Sequence, residues 1–155
     1  MSKRDITLAE DMIILCSNSV GSQTAQKGIR ALCRYFGGQI IYIPSKKDGG
    51  AAAGKIRNVL ADAVGDKAAQ AMLEKIMFGF GGFPMYIPME RMAFRKTIAL
   101  EIYKRYGNDG CTMNDLAREY NISFTLAYNL WKQGQHEKIK STMPYLPFLE
   151  ITGIY

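Results

Sequence analysis

Residues 36–44 read FGGQIIYIP and residues 80–88 read FGGFPMYIP, so the chain uses one phrase twice. The two stretches lie 44 positions apart without a gap, and the match extends back to Val20 and Val64, with ten identical residues in all. A self-match at one fixed offset is typical of an internally duplicated structural unit. The sequence therefore predicts that two similar units form the first part of the fold.

Each repeat predicts a helix followed by one strand. Apolar residues recur at helical spacing over residues 22–36, and the glycine pair that follows ends this helix because glycine adopts the left-handed conformation. Residues 39–43 are β-rich and end at Pro44, which indicates a short strand. In the second repeat the same signals predict a helix at about residues 66–78 and a strand at residues 83–87.

Helical spacing also precedes each repeat. Over residues 7–17 the apolar residues follow one helical face, and Thr7 is placed to cap this helix in a capping box. After a polar linker at residues 45–50, a second apolar face runs from Ile56 to Val64. Both repeats therefore begin after a helix.

The predicted strands need partners, because a single strand leaves its backbone N–H and C=O groups unpaired. The two strands can pair with each other in one chain across a pseudo-twofold axis, which would bury both helical faces between the repeats. Pairing between two chains is the alternative. The chain is thus expected to be either a pseudo-dimer by itself or part of a homodimer.

A longer helix is predicted after the second repeat, over residues 91–106, with Gly107 as its end. Thr112 is placed to cap the following helix, and Asp115 stands three residues later. The turn Asn108-Asp109-Gly110 separates the two helices. The chain therefore turns from a helix-strand pattern to a purely helical one.

A helix-turn-helix pattern occupies this last segment. The small residue required where its helices cross is Ala117, and the turn position that needs a positive φ is Asn121, since asparagine tolerates that conformation. The second helix, over residues 124–133, would then be the recognition helix.

On these motifs the sequence resembles the Mor transcription activator family of Mu-like phages and prophages. The resemblance covers about residues 64–133 and includes Phe80-Gly81-Gly82, Tyr86-Ile87-Pro88, the run Asp115-Leu116-Ala117-Arg118-Glu119-Tyr120, and Tyr128. A second match, over residues 20–44, covers only the amino-terminal half of the family pattern. The resemblance implies a dimerisation domain up to the proline, a bend at the glycines and a helix-turn-helix that enters the DNA major groove.

Two features depart from the family pattern. Typical members have one dimerisation unit per chain, whereas this chain has two units and a single helix-turn-helix. The recognition helix has Phe124, Thr125 and Asn129 where members commonly place arginine or another charged residue. Asn129 can still bind adenine and Thr125 can contact a thymine methyl group or a phosphate, but the bidentate arginine–guanine contact is missing.

The predicted fold is mainly α: a duplicated helix-strand dimerisation unit with a small two-stranded sheet, followed by a helix-turn-helix domain. Residues 1–50 and 51–88 form the two helix-strand units, residues 89–140 the helix-turn-helix domain, and residues 141–155 an apolar tail. The tail is expected to wrap the core; an edge strand through Leu149 to Tyr155 and a contact surface for another protein are the alternatives.

The candidate site residues belong to three groups. The predicted DNA contacts are Ser123, Thr125, Tyr128, Asn129, Lys132, Gln133, Thr112, Arg95, Lys104 and Arg105. Gln39 and Tyr42 are candidates for minor-groove contact if the paired strands face DNA. The interdomain hinge is predicted at Gly37, Gly38, Gly81 and Gly82.

The overall charge favours a polyanionic partner such as a nucleic acid, whereas the charge of the last helical segment is nearly balanced. The net charge is +6 and the pI is near 9.2, which favours polyanions. From Met113 to Lys140, however, the sequence has four basic and three acidic residues. Phosphate contacts are therefore expected partly from the preceding helix, and binding should weaken with salt.

The predicted partners are double-stranded DNA and RNA polymerase, with no membrane contact. Three distant cysteines without a metal-binding pattern indicate reduced thiols in a cytoplasmic protein. Neither a catalytic residue set nor a cofactor or metal motif stands out, so no enzyme is expected. The rival hypothesis is a protein-interaction module that pairs with a Mor-type activator and modulates it without reading DNA itself.

Overall fold

The computed structural model describes residues 3–45 and 50–142, with side chains from residue 8 to residue 140. The described residues divide into two compact units, one ending at Phe94 and the other beginning at Arg95. The fold is mainly helical with one small antiparallel sheet, as the sequence predicts.

The first unit consists of two successive helix-helix-strand motifs and a short closing helix. The first motif is α1 (Lys3–Val20), α2 (Ser22–Phe36) and β1 (Gln39–Ile43). The second motif is α3 (Gly50–Val64), α4 (Asp66–Phe80) and β2 (Phe83–Ile87), and α5 (Glu90–Ala93) follows it. The second unit contains α6 (Arg95–Asn108), α7 (Met113–Glu119) and α8 (Phe124–Thr142).

The strands β1 and β2 pair antiparallel with each other within the chain, which is one of the two predicted arrangements. Ile41 faces Met85, and these positions are 44 residues apart, so the pseudo-twofold axis passes through this pair. The flanking hydrogen bonds obey the same symmetry. The Gly38 N–H donates to the Ile87 carbonyl oxygen at 2.8 Å, and the Gly82 N–H donates to that of Ile43 at 2.7 Å.

Gly37 and Gly81 allow the two motifs to approach closely at the sheet. A Cβ atom at Gly37 would lie 2.8 Å from the Met89 Cα, and one at Gly81 would lie 2.8 Å from the Pro44 carbonyl oxygen. Backbone atoms at such distances cannot yield as a flexible side chain can. Both positions therefore require glycine for space.

The helices of the two motifs form one shared core. Within each motif the two helices pack together, and across the motifs α2 packs against α3 and α1 against α4. The apolar residues that recur at helical spacing on α2 and α4 are buried: Ala25, Ile29, Leu32, Cys33, Phe36, Ala69, Met72, Leu73, Ile76 and Met77. Hydrophobic burial across the axis therefore holds the motifs together.

Glu90 joins α5 to α2. Its Oε2 atom accepts hydrogen bonds from Arg30 Nε at 3.1 Å and from Arg34 Nη2 at 2.8 Å. The side chains of Arg30 and Glu90 are each 17% exposed, so this ion pair is partly shielded from solvent. The contact ties the chain that leaves β2 to the first motif.

The start of the first helix and the continuity of the helix at residues 91–106 differ from the predictions. The first helix begins at Lys3, so Thr7 lies inside α1 and the predicted capping box there is wrong. The helix predicted at residues 91–106 is divided at Phe94, whose backbone is not helical (φ −115°, ψ 28°). One non-helical residue hardly changes the spacing of apolar side chains, so the pattern does not reveal this break.

Two helix ends also differ. Helix α6 continues through Gly107 to Asn108, and the recognition helix continues to Thr142 instead of ending near residue 133. The packing of Gly134 in the α6–α8 contact, described below, compensates for its low helix propensity. Residues 46–49 of the predicted linker and 143–155 of the predicted tail lie outside the described residues.

Two of the three cysteines are core residues. Cys16 and Cys33 are buried, Cys111 is half-buried, and all three thiols are free. Burial raises the pKa of Cys16 from 9.0 to about 11 and that of Cys33 from 9.0 to about 12, because the apolar surroundings disfavour the thiolate. No helix among the described residues is long and apolar enough to span a membrane.

We expect Gly37→Ala and Gly81→Ala each to lower the free energy of unfolding by about 1–3 kcal/mol, because the new methyl group would collide with backbone atoms. Chemical denaturation followed by circular dichroism measures this. Gly54→Ala is the matched control, since nothing lies within 4 Å of its Cβ position inside α3. It should raise stability by about 0.5–1 kcal/mol; equal stability of all three variants would contradict the close approach.

We also expect unequal thiol reactivity. At pH 8 an aromatic disulfide reagent should react with Cys111 first and with the two buried thiols only after denaturation. Both buried thiols have folded-state pKa values above the ordinary 9.0, so their contribution to stability is present below pH 9 and is lost as the pH rises toward 12. Rapid labelling in a Cys111→Ser variant would show that the core thiols are accessible.

Candidate nucleic-acid interface

Helices α6, α7 and α8 share the core of the second unit, in which α8 packs most extensively against α6 and also packs against α7. Leu116 and Ala117 on α7 and Ala127 and Leu130 on α8 are buried, with exposures of 7% or less. Ile102 on α6 completes this core and is fully buried. Ala117, the small residue that the helix-turn-helix pattern places at the helix crossing, is 7% exposed.

The start of α7 is fixed by a capping box. The Thr112 Oγ1 accepts the Asp115 N–H at 3.1 Å, and an Asp115 carboxylate oxygen accepts the Thr112 N–H at 3.1 Å. This prediction is confirmed. The hydrogen bond from the Thr112 N–H is the main reason that the pKa of Asp115 lies below its usual value.

The turn between α7 and α8 is specified on both sides. Asn121 has a φ of 55°, which confirms the predicted left-handed position. The Ile122 N–H donates to the Ala117 carbonyl oxygen at 2.9 Å and the Asn121 N–H to that of Arg118 at 3.2 Å, the two bonds of a Schellman motif. Ser123 then caps α8, because its Oγ accepts the Leu126 N–H at 3.0 Å.

The opposite face of α8 is held against α6. A Cβ atom on Gly134 would collide with the Ala99 carbonyl oxygen and would lie 2.7 Å from the Tyr103 Cβ, so glycine permits a close helix crossing. The Trp131 ring contacts those of Tyr103 and Tyr106, with centroids 6.3 and 5.8 Å apart. Trp131 therefore packs on α6.

The exposed face of α8 contains most of the predicted base-reading residues. Thr125, Tyr128, Asn129 and Lys132 are all exposed and lie along the first turns of the helix. The Tyr128 ring stacks on Trp131 with centroids 5.9 Å apart, and the Lys132 Nζ lies 4.9 Å from the Tyr128 ring centroid. Aromatic packing thus orients Tyr128 while its neighbours stay open to solvent.

Phe124 lies on the same face and is not among the predicted DNA contacts. It is 53% exposed at the first position of α8, one helical turn before Tyr128. Its spacing of four from Tyr128 would have identified it, because residues four apart share a helix face. An aromatic side chain at this place can contact a thymine methyl group.

Several predicted DNA contacts are instead engaged inside the unit. The Gln133 Oε1 accepts the Arg95 Nε–H at 2.9 Å, so these two predicted residues meet each other between α6 and α8. The side chains of Thr112 and Ser123 serve as helix caps. Lys104 is exposed on α6. The role of these residues toward DNA stays a prediction.

Arg105 fastens α6 to α7 through Glu119. Its Nη1 and Nη2 atoms donate to the two carboxylate oxygens of Glu119 at 2.9 and 2.7 Å. This hydrogen-bonded pair lowers the pKa of Glu119 and raises that of Arg105. The guanidinium also lies 5.9 Å from the centroid of the Tyr120 ring.

Tyr120 directly follows α7, and its side chain contacts α6. Its hydroxyl donates to the Glu101 Oε1 at 2.8 Å. Burial, followed by this hydrogen bond, raises the pKa of Tyr120. The polar contacts of Arg105 and Tyr120 therefore orient α7 without using the exposed face of α8.

The sheet residues Gln39 and Tyr42 lie in the first unit. Both are exposed and line an open groove together with Lys55 at the start of α3. Tyr86, at the position equivalent to Tyr42, is also exposed, at 46%. The tyrosines are therefore surface residues, and the outer face of the sheet is available for contact.

The glycines predicted as an interdomain hinge all lie within the first unit, at the junctions between helix and strand. Gly38 and Gly82 have positive φ values of 82° and 90°, and each N–H group bonds the opposite strand. The structure thus shows a local reason for these glycines. Their role as a hinge stays a prediction.

Over residues 8–45 and 50–140, no group of three or more His, Cys, Asp or Glu side chains is placed to hold a metal ion. His136 is exposed on α8.

Asn121, which has a positive φ in the turn between α7 and α8, allows a test of the geometry of this turn. Asn121→Val should destabilise the protein by about 1–2 kcal/mol, because a β-branched residue is strained at positive φ. Asn121→Gly is the control and should leave the thermal midpoint unchanged or higher, since glycine adopts this conformation freely. If valine were tolerated as well as glycine, the turn geometry described above would be wrong.

Comparison with known proteins supplies independent information. No curated protein and no solved structure matches the chain. The family model described as "Mor transcription activator family" matches residues 50–146, which is more than half of the chain and includes the second motif and all three helices of the second unit. On this match, the chain belongs to the Mor transcription activator family.

Proposed function

We propose that the protein is a sequence-specific DNA-binding transcription regulator of phage or prophage type, and that the first turns of α8 read the major groove. One observation carries the proposal: α8 is fixed on one face by Ala127, Leu130 and Gly134, while its other face is exposed. A helix held in this way can enter a groove without disturbing the fold.

The chemistry of this face favours A·T base pairs. The Asn129 side-chain amide can bind adenine in a bidentate contact: its NH2 group donates to adenine N7, and its oxygen accepts from the adenine N6 amino group. Thr125 and Phe124 can contact thymine methyl groups. No arginine lies on the first two turns of α8, so the strongest guanine contact is missing.

The phosphate contacts should be few. Arg95, Lys96 and Arg105 already bond to Gln133, Glu137 and Glu119. Lys132 and Lys104 are the best candidates because both are exposed. With about two to three phosphate contacts, the logarithm of the binding constant should fall with the logarithm of salt with a slope of about −2 to −3.

The number of reading heads follows from the pairing of the motifs. Because β1 and β2 pair within one chain, that chain completes a strand pair while carrying one helix-turn-helix. We therefore propose a single short binding site for each chain, with Gln39 and Tyr42 as candidates for an additional minor-groove contact. RNA polymerase is the proposed protein partner, as expected for an activator.

Selection of bound duplexes from a random DNA library at near-physiological salt tests the proposal. We expect enrichment of one short, A·T-containing site. A palindrome of two half-sites would instead indicate a dimer with two reading heads. If no sequence is enriched, the protein does not read DNA directly, and the interaction-module hypothesis takes its place.

A charge-reversal experiment tests the assignment of the reading face. Thr125→Glu combined with Asn129→Glu should weaken binding to the enriched site at least about 100-fold, because base contacts are lost and two carboxylates face DNA. Gln26→Glu with Asn58→Glu is the control, since it makes the same charge change at exposed positions of the first unit. Fluorescence anisotropy measures both; equal losses would contradict a reading face on α8.

A further inference from the structure

In the shared core, equivalent positions of the two motifs hold residues of different size, and these residues contact each other. Gly28 on α2 and Met72 on α4 hold equivalent positions, 44 residues apart. A Cβ atom on Gly28 would lie 2.5 Å from the Met72 Cε and 2.7 Å from its Sδ. Met72 is fully buried, so its side chain fills the space that the missing Gly28 side chain leaves open.

A second pair of equivalent positions shows the opposite difference in size. Cys16 on α1 and Leu60 on α3 are 44 residues apart, and both are fully buried. The Leu60 Cδ2 lies 3.2 Å from the Cβ position of Gly28, whereas the Cys16 Sγ lies 3.8 Å from the Met72 carbonyl oxygen. The large Leu60 thus neighbours Gly28, and the small Cys16 neighbours Met72.

These contacts cross the pseudo-twofold axis, so they report which motifs fit together. Two first motifs would bring Gly28 against Gly28 and against Cys16, which would leave a cavity in the core. Two second motifs would bring Met72 against Met72 and against Leu60, which would overfill the same space. The unlike pair balances a large side chain with a small one at each contact.

The charged residues of the two motifs are complementary in the same way as the residue sizes. Arg30 and Glu90 form an ion pair across the axis at 3.1 Å. The residues 44 positions away from them are Glu74 and Lys46, so the charges are exchanged between the motifs. A pair of two second motifs would oppose Glu74 to Glu90, and such like charges disfavour the pair.

We propose that these size and charge differences form a pairing code that makes the first motif fit the second and excludes pairs of like motifs. Each motif is therefore specific for the unlike motif, which the structure places in the same chain, and a like motif of a second copy is rejected at this interface. The inference concerns the first unit alone and does not depend on DNA binding.

Exchanging residues between the motifs tests this code in the full-length chain. One variant exchanges only the Gly28/Met72 pair (Gly28→Met, Met72→Gly), a second exchanges only the Cys16/Leu60 pair (Cys16→Leu, Leu60→Cys), and a third makes all four changes. All three variants have the composition of the unmodified chain, and each Gly/Met exchange leaves one glycine and one methionine at positions 28 and 72. Their thermal midpoints can therefore be compared directly.

We expect each two-residue exchange to lower the thermal midpoint by on the order of 10 °C, because each places two large residues together on one side and two small ones on the other. The four-residue exchange restores the balance in mirror image and should return to within a few degrees of the unmodified chain, with a monomer mass by light scattering. A two-residue variant that fails to fold agrees with this expectation.

Two results would overturn the proposal. One is a four-residue variant no more stable than the two-residue variants, since size balance across the axis would then not matter. The other is a pair of two-residue variants as stable as the unmodified chain.

Discussion

The strand pair β1–β2 is the constraint on which the first unit depends. Neither strand has another strand beside it among the described residues, so each must satisfy its backbone hydrogen bonds on the other. The pair is centred on Ile41 and Met85, which places equivalent positions of the two motifs opposite each other. That register in turn brings backbone atoms so close to Gly37 and Gly81 that larger residues do not fit, and it sets α1 and α2 against α4 and α3.

The second unit is organised by local signals rather than by a sheet. Thr112, Asn121 and Ser123 fix the beginning of α7, the turn and the beginning of α8. Several other polar side chains make contacts among α6, α7 and α8, such as Arg105 with Glu119 and Arg95 with Gln133. These contacts lie away from the first turns of α8, whose exposed face is the one proposed to read DNA.

Local signals explain which features could be predicted from the sequence. The glycine-bounded strands, the Thr112 cap and the positive φ of Asn121 depend on a few neighbouring residues, and all were predicted correctly. The break at Phe94 and the length of α8 depend on packing between elements, which periodicity does not record. The same limit applies to the site: exposure of Thr125 and Asn129 follows from helical spacing, whereas the bond of Gln133 to Arg95 requires two helices to meet.

The intrachain strand pair has a consequence for mass action. In a homodimer that shares one strand per chain, the sheet forms only when two molecules meet, so folding and activity depend on protein concentration. Here the two strands are joined covalently, and their pairing is a unimolecular step. The first unit can therefore form at any dilution, and a single newly made chain already holds the complete sheet.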